Sequence, residues 1–426
     1  MASFSILNGR VIDPAAQLDS VVTVHIAEGK ILALGDAPAD FNAEWTIDAS
    51  GQIVCPGLVD LSVRLREPGA EQKGTILSET RAAASCGITS VCCPPDTNPI
   101  IDTPAVAELI QLRAQKVGMS KVYPLGALTQ GLAGTQLTEM GSLKQAGCLG
   151  VSNALEPITN TEVFRYALEY AATHDLTVFL QAQDSHLGRN GCMHEGAIST
   201  RLGLAGIPEA AETIEVARDL LLIALSEVRA HFGKISCAQS VDMLKQAQDK
   251  GLKVTADVAV HQLFLTDMDV CDYNSHCHVV PPLRSQRDLE SLRHALKLGI
   301  IRAISSDHQP HEPDAKDSPF MMTEAGVSGL DSLLPLVLRL AEEMDVPLSK
   351  ALSWVTSEPA KILGIDAGSL RLGAAADICI FDPDYRWRLK ADVMHSMGHN
   401  SPFLGWELGG RVTHTLIDGK IVYTYG

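Results

Sequence analysis

The sequence predicts a closed (β/α)8 barrel of the TIM type, with a small β-domain formed by both chain termini. Eight short apolar runs alternate with helical patterns between residues 56 and 365, which is the rhythm of a barrel. Strand-and-turn patterns fill residues 1–55 and 366–426, predicting one β-sandwich shared by the two ends. No early strand is followed by the Gly-x-Gly-x-x-Gly turn that an open nucleotide-binding sheet would carry.

The terminal unit opens with short strands at Phe4 to Val11, Val21 to Ile26, Ile31 to Leu34 and Trp45 to Ile47, with turns at Asn8-Gly9 and Glu28-Gly29. Barrel strand one is the apolar run from Leu58 to Leu65, bounded by Pro56-Gly57 and Pro68-Gly69. At its far end Ser62, Arg64 and Arg66 recur at period two, so they are expected on one side. The remaining strands are read at Ile88 to Cys93, Val122 to Leu128, Cys148 to Asn153, Thr177 to Gln181, Phe232 to Cys237, Val254 to Val260 and Ile300 to Asp307.

Helical patterns fall at Ile76 to Cys86, Pro104 to Val117, Thr161 to Thr173, Ala210 to Ala230, Val241 to Lys250 and Arg287 to Leu298. Thr103 reads as an N-cap, because proline follows at the first helical position. Two further helices, Ser328 to Glu343 and Leu348 to Leu363, precede the return to strands at Leu370 to Asp382 and Val412 to Tyr425.

The chain has 426 residues, with 34 basic against 51 acidic side chains and a net charge of −17. The acidic excess is spread along the chain, which argues against nucleic acid or an anionic membrane as partner. No basic stretch followed by an apolar segment opens the sequence, and no apolar run approaches the length of a membrane span, so a cytoplasmic location is expected. The ten cysteines lack metal-finger spacing and sit largely in apolar runs, predicting buried free thiols.

Chemistry in such a barrel belongs at the C-terminal ends of the strands. There the sequence places Ser62, Arg64 and Arg66 from strand one, Asn98 after two, Asn153 after four, Gln181 after five and Lys234 on six. Asp307, His308 and His311 follow strand eight.

Several segments together resemble dihydroorotase of the amidohydrolase superfamily. They are Pro56-Gly57-Leu58-Val59-Asp60, Leu65-Arg66-Glu67-Pro68-Gly69, Asp96-Thr97-Asn98-Pro99, Ser305-Ser306-Asp307-His308-Gln309-Pro310-His311, Pro359-Ala360-Lys361-Ile362-Leu363-Gly364 and Asn400-Ser401-Pro402-Phe403-Leu404-Gly405. The resemblance runs the length of the chain. It implies a zinc hydrolase of a cyclic amide, with two histidines on strand one, an acidic bridging group on strand four, histidines on five and six and an aspartate after eight. In this sequence those positions hold Ser62, Arg64, Asn153, Gln181 and Lys234, and only Asp307 remains. A guanidinium cannot ligate a metal, an ammonium repels one and amides are feeble donors. The expectation is therefore a chain without cofactor or metal and without enzymatic activity, whose Arg64 and Lys234 neutralise Asp307.

Arg66, Asn98 and His311 stand at the positions that the resemblance assigns to the substrate carboxylate, whereas Val280 replaces an asparagine expected at the pyrimidine ring. His276-Cys277-His278 is a rival metal motif. Degenerate members of this family are associated with aspartate transcarbamoylase. The expected role is accordingly that of an assembly subunit, homodimeric within a larger hetero-oligomer with the catalytic subunit of that enzyme. Two alternatives are an amidohydrolase with an atypical metal site and a sensor for a carboxylate of pyrimidine biosynthesis.

Overall fold

The computed structural model describes residues 3–425; the ends of the expected terminal domain at Met1, Ala2 and Gly426 lie outside the described residues. Eight parallel barrel strands follow one another at Leu58–Asp60, Ile88–Cys93, Lys121–Pro124 with Gly126–Ala127, Gly150–Ser152, Thr177–Leu180, Ala230–Phe232, Val254–Ala259 and Ala303–Ser305. The third strand is broken at Leu125, one piece pairing with strand two and the other with strand four. Closure comes from a parallel bridge between Val63 and His308.

Strand one is shorter than expected. Its ladder ends at Asp60, although Leu61, Val63 and Leu65 stay 5%, 0% and 0% exposed. Beyond Asp60 pairing continues only through the bridge at Val63 and single backbone bonds, such as Val63 N to Cys92 O at 3.0 Å and Arg64 N to His308 O at 2.9 Å. Strand six is shifted as well: it spans Ala230–Phe232, so Lys234 lies beyond its end and not on it.

Gly57 sits at the entrance of strand one because nothing larger fits. A Cβ there would lie 2.2 Å from Thr89 Oγ1 and 2.3 Å from its Cγ2. Thr89 is buried and stiff at χ1, so Gly57→Ala is expected to destabilise the chain by about 1–3 kcal/mol, read by urea unfolding.

Helices cover the barrel. Pro104–Val117 and Thr161–Thr173 fall where expected. Ala210–Ser226 stops early, at Glu227 with φ 54°, and the span expected as Leu348 to Leu363 is two helices, Leu348–Ser353 and Ser357–Leu363. Thr103 is the N-cap of its helix but its side chain makes no cap bond, whereas Asn160 accepts from the N–H groups of Glu162 and Val163. Thr103→Ala should therefore cost under about 0.5 kcal/mol and Asn160→Ala about 1 kcal/mol, compared by thermal unfolding.

The chain ends meet in one sheet, ordered Lys420–Thr424, Glu407–Ile417, Ile378–Arg388, Ile53–Pro56, Arg10–Asp13 and Leu18–Val21. A second sheet holds Lys30–Leu34, Val24–Ala27, Phe4–Leu7 and Trp45–Asp48. The expected strand from Phe4 to Val11 is thus two strands, split where Asn8 takes φ 63°. Period two divides the shared sheet between two cores. Val54, Ile378, Ile380 and Leu416 face Phe4, Ile6 and Ile26, while Ile53, Cys55, Cys379 and Phe381 face the barrel's helices. Among the described residues no helix is long and apolar enough to cross a membrane, and the ten cysteines are free, eight of them buried.

Candidate functional site

The barrel mouth is organised on Asp307, which is 1% exposed and held at φ 47° just after strand eight. Lys234 Nζ donates to its Oδ1 at 3.0 Å, Gln309 Nε2 at 3.0 Å and Ser62 Oγ at 3.3 Å. Arg64 places one terminal nitrogen 3.8 Å from the same oxygen and binds Asp96 Oδ2 through Nε at 2.8 Å. Burial is the largest influence on the Asp307 carboxyl and pushes it up, yet Lys234, Arg64 and His261 together hold it below the ordinary carboxylate value. The two cations that replace metal-ligand positions thus converge on the one retained acid.

Ser62, Arg64, Gln181 and Lys234 line one cavity of about 50 Å³. A water occupies about 30 Å³ in the liquid and organic ligands take pockets of about 300–1,000 Å³, so this mouth has room for very little beside its own side chains. Gln181 Nε2 makes a long 3.4 Å contact to Val280 O. Asn153 is committed to the loops: its Oδ1 accepts from Thr129 at 2.8 Å, and its Nδ2 donates to Leu132 O at 3.1 Å and Glu156 O at 2.7 Å.

Of the three residues expected at a carboxylate, Arg66 and His311 are brought into contact. Arg66 has φ 63° and turns its Nε to Pro310 O at 3.0 Å, with Nη2 3.1 Å from His311 Nε2. Asn98 is exposed and, among the described residues, shares no hydrogen bond with either. His311 is further enclosed by Lys73 and Glu324 at 3.3 and 3.4 Å, and burial, with Arg66 and Lys73, lowers its imidazolium pKa to about 3.

Two histidines are held as structural pairs. His231, which no sequence pattern singled out, bonds Asp257 Oδ2 and Thr255 Oγ1, each at 2.8 Å. His308, expected at the mouth, instead bonds Glu79 Oε2 at 2.8 Å. The first pair ties strand six to strand seven, and the second ties the segment after strand eight to the helix Ile76–Ser85. His261 is 1% exposed, and among the described residues neither ring nitrogen has a hydrogen-bond partner. Burial lowers its pKa to about 4, with Asp307 opposing and Lys234 assisting. Since this folded value lies below the unfolded value of about 6.5, the neutral ring's contribution is full above that pH and is lost as pH falls towards 4. The ring carbons of His261 are expected to show no titration shift between pH 5 and 8 by NMR.

His276, Cys277 and His278 form no joint site. His278 Nδ1 bonds Thr323 Oγ1 at 2.8 Å and its ring tilts over Phe320, and the buried Cys277 thiol is pushed up to about 12. The group that does converge is His194, Glu209 and Asp288, whose ligand atoms lie within 4.8 Å of one another. No single stretch of sequence signals it, because a short strand, a loop and a helix start bring the three together. Arg287 already binds Glu209 at 2.6 Å and Asp288 at 3.2 Å, and Arg284 approaches His194 Nδ1 at 3.3 Å.

A family model described as "Dihydro-orotase-like" matches residues 51–240, and one described as "Amidohydrolase family" matches residues 286–423. A "Dihydroorotase-like protein" of Pseudomonas aeruginosa is 50% identical over 421 residues, covering 99% of both chains. The chain belongs to the dihydroorotase-like family. A "Dihydroorotase" of Geobacter sp. (strain M21) is 43% identical over 421 residues, again 99% of both. The solved L-hydantoinase (dihydropyrimidinase) from Arthrobacter aurescens superposes with a TM-score of 0.90 at 23% identity, over 100% of this chain and 97% of that one, which establishes the amidohydrolase barrel with its β-domain.

These findings correct one expectation. A chain without enzymatic activity was expected, but dihydroorotase-like relatives at 41–43% identity bear the name of a hydrolase along their whole length, and His194, Glu209 and Asp288 form a possible metal site. Both point to an enzyme. The family's zinc, however, does not fit the mouth: Lys234 and Arg64 stand in hydrogen-bond or ionic contact with the only carboxylate left among the family's ligand positions. Two cations there repel a third.

Proposed function

We propose that this dihydroorotase-like chain serves pyrimidine biosynthesis as a subunit of an aspartate transcarbamoylase assembly, pairing with itself and with that enzyme's catalytic subunit. The supporting observation is the mouth itself. Where the family's fold would carry zinc, Lys234, Arg64, Gln309 and Ser62 close around Asp307, and about 50 Å³ remains. A barrel whose mouth is filled in this way still has its outer surface to offer a partner.

Co-expression with the catalytic chain of aspartate transcarbamoylase tests this reading. A stable hetero-oligomer is expected, with assembly or transcarbamoylase activity lost when this chain is left out. Full assembly and activity of the catalytic chain alone would overturn it.

A second reading, hydrolysis of a cyclic amide or ureide, is favoured by the names of the relatives and by the cluster at His194. It predicts turnover of dihydroorotate or a hydantoin that His194→Ala abolishes, with metal content falling in step. Turnover abolished by Asp307→Asn and unaffected by His194→Ala would instead return the chemistry to the mouth.

A further inference from the structure

A cavity of about 690 Å³ opens at the end of the barrel opposite the ion-paired mouth. Its wall is made where strands begin: Leu149 precedes strand four, Thr177 opens five, Ala230 opens six, Val254 opens seven and Arg302 precedes eight. The interior layer of barrel side chains, including Val59, Leu61, Cys92 and Phe179, occupies the barrel interior between this cavity and the mouth. A packed apolar layer therefore separates the two.

The charge of this cavity is the reverse of the chain's. Lys144, Arg229, Lys253, Arg302 and Lys361 line it, against the single carboxylate of Asp175, in a protein of net charge −17. Some of these cations are engaged locally: Arg229 pairs with Asp175 at 2.5 Å, Lys361 with Glu358 at 2.7 Å, and Lys144 donates to His174 O at 2.6 Å. Lys253 and Arg302 are exposed, and among the described residues neither enters an ion pair. Beside them lie the apolar side chains of Leu149, Leu252 and Ile362. A concave wall with one sign of charge concentrates counter-ions of the other, and a guanidinium suits phosphate oxygens bidentately.

We propose that this cavity binds an organic phosphate of nucleoside-triphosphate size. Its phosphates would lie against Lys253, Arg302 and Arg229, and its organic part against Leu149, Leu252 and Ile362. The volume of about 690 Å³ falls within the range of about 300–1,000 Å³ that small-molecule sites occupy. The site stands apart from the assembly proposed above and survives or fails independently of it.

Titration calorimetry of the full chain with ATP, tripolyphosphate, adenosine and an acidic peptide tests the assignment. ATP is expected to bind saturably, more weakly as salt is raised, with tripolyphosphate weaker and adenosine weaker still. Each of Lys253→Ala and Arg302→Ala should weaken ATP about tenfold, while Lys350→Ala, at an exposed lysine outside the cavity lining, leaves it unchanged. Both cavity positions are exposed, so the variants should keep the parent's melting temperature, and Lys253→Gln provides a second, milder substitution. Absence of saturable ATP binding, equal affinity in the variants, tripolyphosphate binding as tightly as ATP or tighter binding of the acidic peptide would each overturn it.

Discussion

Replacement of Lys234 by methionine is expected to destabilise the chain by about 3 kcal/mol, the lower end of what breaking a buried ion pair costs. Asp307 is left as a buried carboxylate, and its desolvation sets the size of the effect. It is not the full cost because Gln309 and Ser62 still donate to it and Arg64 stays 3.8 Å away. Asp307→Asn in the Lys234→Met background should restore most of the loss, since the uncompensated charge is then gone. A double-mutant cycle in urea reads the coupling directly, and additive losses would remove the pair from the account.

The same pair sets a pH signature. The folded-state pKa of Asp307 is depressed, so the pair's contribution is complete above the unfolded carboxylate value of about 4 and fades as pH falls through the lower folded value. The Lys234→Met/Asp307→Asn variant should lose less stability than the parent between pH 4 and 2.

The barrel was legible in the sequence because each strand buries side chains on both faces and so reads as a continuous apolar run. Ile88–Cys93 shows the reasoning at its best, with all six residues buried. The same logic overran at strand one, where the ladder ends at Asp60 and only an isolated bridge at Val63 follows, although Val63 and Leu65 stay buried. The helices at Met140–Gln145 and Ala197–Leu202 were missed because six residues hold too little periodicity to register. In the candidate site, residue identity announced that Arg64 and Lys234 could neutralise Asp307, and the geometry brings both to it. Residue identity could not announce that Arg66 would turn at positive φ towards Pro310, nor that His194, Glu209 and Asp288 would meet.

Zinc provides the second large effect. The wild-type mouth should take none, so a chelator and added zinc alike should leave its melting temperature unchanged. Ser62→His, Arg64→His, Gln181→His and Lys234→His together remove both cations and set four imidazoles around Asp307 in the cavity that those positions already share. Imidazole and carboxylate are the donors zinc prefers, and a metal present at 1,000 times its dissociation constant stabilises the folded state by about 4 kcal/mol. The fourfold variant is expected to gain one or more zinc ions per chain by elemental analysis and a melting temperature that a chelator lowers again. A threefold variant that keeps Arg64 should lack most of that gain, because one guanidinium beside Asp307 maintains the repulsion. Zinc found in the wild-type chain and lost in Asp307→Asn would show that the mouth accepts the metal after all, whereas zinc lost only in His194→Ala would place it at the outlying cluster and leave the mouth as described.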